Sequence, residues 1–109
     1  VTETKAKAKY KPERETKSAA KVLKVLDVLL RNFVHGFTPG ELAEETKYAP
    51  SDITTYVTTL VNAGFAERIQ ETQRIRASHR LAKSALQILN SIESAEARLA
   101  ETKKRIIGA

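Results

Sequence analysis

The chain has 109 residues, enough for one ordinary domain and too few for two. It contains no cysteine, which excludes disulfides and the common cysteine-bearing zinc sites, and its two histidines cannot form a metal cage by themselves. No apolar run approaches the roughly 20 residues of a membrane span, and a net charge of +6 makes a polyanionic partner plausible.

The charge is unevenly placed. Residues 36–64 hold four carboxylates (Glu41, Glu44, Glu45 and Asp52) against the single Lys47, whereas both ends of the chain and residues 65–80 are net basic. Residues 1–16 are rich in Lys, Glu and Thr without apolar periodicity, and are expected to form a disordered basic arm. Residues 17–80 are expected to make the folded domain, and residues 81–109 a C-terminal dimerisation helix.

From about Ser18, Val22, Leu23, Val25, Leu26, Leu29, Leu30 and Phe33 recur at helical spacing, which predicts a first helix reaching the stop at Gly36. Its apolar arc is wider than one packing face requires, which fits contact with a second subunit as well as burial within the domain. Thr38-Pro39-Gly40-Glu41 then reads as a capping box with proline at N1, opening a short helix that ends near Thr46. Pro50 opens a third helix. Residues 52–61 are β-branched and favour strand by propensity, but Ile53, Tyr56, Val57, Leu60 and Val61 form a helical stripe with the threonines outside it. Gly64 is its expected stop.

Residues 65–70 and 74–78 predict a β-hairpin. Its tip carries Gln73 where a left-handed glycine is usual, so a longer or mobile loop is expected. Beyond Ser78 no breaker occurs before Gly108, so the rest reads as one long helix of roughly 40 Å. On it Leu81, Ala85, Ile88, Ile92, Ala95, Leu99, Thr102 and Ile106 step alternately by four and three, the spacing of a coiled-coil seam. Leu86 and Leu89 lie off that seam and are expected to dock the helix on the domain. In a parallel pair Arg98 would face the partner's Lys103, which disfavours a parallel seam to the end.

Three helices followed by a hairpin define a mainly α winged helix-turn-helix fold, whose third helix enters the major groove while the wing touches the backbone. Residues 20–78 resemble the N-terminal DNA-binding domain of IclR-type transcriptional regulators. The likeness is carried by Phe37-Thr38-Pro39-Gly40-Glu41-Leu42-Ala43, by Thr59-Leu60-Val61-Asn62-Ala63-Gly64-Phe65, and by Glu67-Arg68 followed by Arg74-Ile75-Arg76. MarR-type regulators share the architecture. The resemblance implies groove-facing positions at Ser51, Asp52, Thr54, Thr55 and Thr58, with Arg68, Arg74 and Arg76 as wing contacts to phosphate. Asp52 also suits the positive end of the helix dipole. The third helix lacks Arg and Lys, so the usual bidentate grip on guanine is missing and modest specificity is expected.

The sequence thus points to a dimeric double-stranded DNA-binding protein, a cytoplasmic, nucleoid-associated regulator or DNA-organising factor. Neither cofactor, small-molecule ligand nor catalytic constellation is expected. The alternative is a winged-helix module for protein–protein assembly through the C-terminal coiled coil.

Overall fold

The computed structural model describes residues 14–108. Its elements are α1 (Lys17–Leu29), α2 (Pro39–Thr46), α3 (Pro50–Ala63), β1 (Ala66–Ile69), β2 (Arg74–Ala77) and α4 (His79–Ile107). This is the winged helix-turn-helix order. Of the expected basic arm only Arg14, Glu15 and Thr16 are described, and they are exposed; residues 1–13 lie outside the described part.

The core is aliphatic. Val25, Val28 and Leu29 of α1 meet Leu42 of α2, Ile53, Val57 and Leu60 of α3, and Ala66 and Ile75 of the wing. Tertiary burial of the Ile53–Val57–Leu60 stripe explains why α3 is helical despite its β-branched residues, because only a helix aligns those three side chains.

Local signals set the ends of α2. The Glu41 N–H donates to Thr38 Oγ1 (3.1 Å) and the Thr38 N–H to Glu41 Oε1 (3.0 Å), completing the capping box. Such a cap is worth about 1 kcal/mol. At the other end Lys47 adopts a left-handed conformation (φ 65°), turning the chain into α3.

One local expectation is corrected: α1 ends at Leu29, well before Gly36, and Phe33 leaves the helical stripe. Asn32 causes part of this: its Oδ1 accepts from the His35 N–H and its carbonyl from the Gly36 N–H. The freed chain pairs Phe37 with Ile75, each N–H donating to the other's carbonyl at 2.7 Å, a short third strand beside the wing. Gly36 makes this possible, with φ 71° and an absent Cβ that would sit 2.3 Å from the Ile75 carbonyl oxygen. At the wing tip the loop is the longer one expected, residues 70–73. Gln73 itself turns left-handed (φ 62°), with its Nε2 donating to the Gln70 carbonyl.

The start of α4 is anchored and its remainder is not. Ser78 Oγ accepts from the Leu81 N–H and donates to the Gly64 carbonyl, while the Arg80 guanidinium donates to the Ala63 and Gly64 carbonyls and lies over Phe65. Arg80 thereby caps the negative end of α3. No residue of α4 is buried. Leu86 (55% exposed) and Leu89 (50%) do not dock on the domain as expected, because the helix axis departs from the body after its first turn. Among the described residues no helix is long and apolar enough to cross a membrane.

Candidate nucleic-acid interface

The face of α3 opposite the core is built from small hydroxyl residues. At about 100° per residue, Ser51, Thr54, Thr55 and Thr58 share an arc of about 100°, roughly opposite Ile53, Val57 and Leu60. All four are exposed. Asn62 lies on the same arc and is also exposed. It is a candidate that reading the sequence overlooked, although its spacing of four from Thr58 and seven from Thr55 would have found it. Asp52 falls about 60° outside the arc. It stands in the first turn of α3, where a carboxylate favours the helix dipole.

Each arc threonine is tied to the helix itself. Thr54 Oγ1 donates to the Pro50 carbonyl (3.2 Å), Thr55 Oγ1 to Ser51 (3.3 Å) and Thr58 Oγ1 to Thr54 (2.8 Å). A carbonyl only accepts, so each hydroxyl proton is already engaged.

The wing arginines differ sharply from one another. Arg68 is exposed at the outer part of β1 and has no ion pair or side-chain hydrogen bond among the described residues. Arg74 and Arg76 share one face of β2, as strand alternation requires, but both are engaged internally. Arg74 donates to the His35 carbonyl (3.1 Å), the Gly36 carbonyl (3.1 Å) and Glu41 Oε1 (2.9 Å). Glu41 therefore serves the α2 cap and holds the wing at once. Arg76 donates to Glu67 Oε2 at 2.8 Å, opposite it in the hairpin register, and lies over the Phe33 ring.

Glu67 also gathers His79. It accepts from the His79 N–H (3.2 Å), and His79 Nδ1 lies 2.7 Å from its Oε2, joining the wing to the root of α4. Partial burial pushes the Glu67 carboxyl up. The Arg76 bond, both His79 bonds and the His79 charge outweigh burial and hold it below its ordinary value of 4.5. A folded-state value below the unfolded one means that ionised Glu67 stabilises the fold above about pH 4.5. That contribution is lost as the pH falls through the depressed folded value. Glu67→Gln is accordingly expected to lower the thermal midpoint at neutral pH, with the gap to the parent chain closing on acidification. A pH series of unfolding curves measures this, and a gap independent of pH would show that the ionised carboxylate contributes nothing.

No family model matches the chain, and no curated protein does. Among solved structures, HmgR of Pseudomonas aeruginosa is similar, with a TM-score of 0.61 and 26% identity over 79% of this chain. The match covers 36% of HmgR, so this chain spans about a third of that structure's length. Fold and likeness together support an IclR-like winged-helix DNA-binding domain.

Proposed function

We propose that the chain binds duplex DNA as a homodimer, with α3 in the major groove and the wing beside it, in a regulatory or DNA-organising role within the cytoplasm. The observation that carries this reading is the exposed hydroxyl arc of Ser51, Thr54, Thr55 and Thr58 on the third helix of a winged fold. Arg68 is the wing's phosphate contact. Arg74 and Arg76, engaged with Glu41 and Glu67, act as positioning residues that hold the wing in place. Asp52 supports the start of α3 and reads no base.

Dimerisation rests on α4. Ile88, Ile92, Leu99 and Ile106 are all more than half exposed along a helix that none of the described residues covers. An apolar groove of about 360 Å³ between α1 and the end of α3, lined by Leu23, Leu26, Leu60, Ala63 and Phe65, is a second apolar surface. The same stripe is what favours the second reading, an assembly module without DNA.

A salt titration of binding to random-sequence duplex separates the two. Affinity is expected to fall linearly on a log–log scale as counterions are released. Arg68→Ala should reduce that slope by about 1, as for any single phosphate contact. Arg74→Ala should instead cost about 1–2 kcal/mol of folding stability, since it removes a charged donor from Glu41 and two carbonyls. Absence of duplex binding at low salt would leave the assembly reading.

A further inference from the structure

We infer that α3 reads thymine methyl groups, so that the preferred ligand is A·T-rich duplex DNA recognised through the 5-methyl on its major-groove edge. This deepens the duplex-binding reading and rests on it. The hydroxyl protons of Thr54, Thr55 and Thr58 are spent on the carbonyls of Pro50, Ser51 and Thr54. What these side chains still offer is a lone pair on Oγ1 and an exposed γ-methyl.

The methyl half of that inventory matches one kind of base pair. A guanine edge shows two acceptors, N7 and O6, and calls for donors, normally from Arg or Lys. The α3 segment has neither residue. An A·T pair shows the adenine N6 amine, which a threonine lone pair accepts, and the thymine methyl, which a threonine methyl packs against. Ser51 and Asn62 are the arc residues whose side chains make no hydrogen bond among the described residues. Asn62 has the carboxamide that pairs bidentately with adenine N6 and N7. A threonine lone pair would accept from cytosine N4 as well, so it is the methyls, with the Asn62 carboxamide for adenine, that favour thymine-bearing steps.

The test is fluorescence anisotropy on two duplexes of identical A·T-rich sequence, one with thymidine and one with deoxyuridine throughout. Burying one methyl is worth about fourfold in affinity, so even two contacts predict about fifteenfold weaker binding to the uracil duplex. The Thr54→Ser/Thr55→Ser/Thr58→Ser chain keeps all three hydroxyls and loses all three methyls. It is expected to bind the two duplexes alike, at the level of the parent on uracil, with an unchanged unfolding curve. In a G·C-rich duplex, 5-methylcytosine should bind more tightly than cytosine. Equal parent affinity for the thymine and uracil duplexes overturns the inference while leaving duplex binding intact. Discrimination that persists in the serine chain also overturns it, because the methyl is then read elsewhere. Failure to bind either duplex at low salt overturns the duplex reading and this inference with it.

Discussion

Gly36→Ala is expected to destabilise the domain by about 2–5 kcal/mol, a sum of two costs. Holding a non-glycine residue at a left-handed φ costs about 1–2 kcal/mol. Forcing a methyl into packed structure costs about 1–3 kcal/mol more. The second cost cannot be avoided by a side-chain rotation, since the added Cβ meets the Ile75 backbone carbonyl at 2.3 Å. Either the Phe37–Ile75 bridge opens, losing two short hydrogen bonds, or the wing shifts away from the buried Ile75 core position. Against a total stability of about 5–15 kcal/mol this is a large fraction. Gly40 provides the contrast within the same chain. A Cβ there meets only Thr38 Oγ1 at an ordinary 3.9 Å, inside a helix, so Gly40→Ala should stabilise by about 0.5–1 kcal/mol. Urea unfolding of the two chains measures both signs. A Gly36→Ala chain as stable as its parent would show that the third-strand bridge contributes nothing to the fold.

The second large effect is expected from Ile92→Glu combined with Leu99→Glu. Both side chains are exposed (52% and 69%) and remote from the core, and Glu is a good helix former, so the folding midpoint should barely move. Two carboxylates facing two others across a helix seam should nevertheless separate the proposed dimer, halving the mass seen by sedimentation. Loss of the second DNA contact then removes avidity, which is worth about 100-fold or more in duplex affinity. A double variant that stays dimeric would place the subunit contact elsewhere, with the α1–α3 groove the next surface to test. A monomer that binds duplex as tightly as the parent would instead show that one wing and one α3 suffice.

These two experiments probe features of different origin. The α4 stripe is a property of sequence period alone: apolar residues four and three apart need no tertiary information to be recognised. The same is true of the Thr38–Glu41 capping box and of the helical stripe that overrides strand propensity in α3. The order of three helices and a hairpin was legible for that reason, and so was the placement of the α3 threonines outside the apolar stripe. Gly36 is different. Its position suggests a helix stop, but its necessity comes from the Ile75 carbonyl 39 positions along the chain.

The wing arginines show the same division. Alternation along a strand put Arg74 and Arg76 on one face, and the hairpin register set Glu67 opposite Arg76. That much follows from local rules with a period of two. Arg74's partner, Glu41, belongs to another element 33 positions away, and only the docking of the wing against α2 brings them to 2.9 Å. Two arginines that look free in the sequence are thus fixed in the fold, leaving Arg68 as the unengaged wing cation among the described residues.

By itself, then, the sequence determined the elements, their caps and their order, because those depend on spacings of three or four in helices and two in strands. Tertiary structure alone decided where α1 ends, that α4 leaves the body after one turn, and which charged groups are consumed inside the domain. Such outcomes depend on contacts between residues tens of positions apart, which local periodicity does not encode.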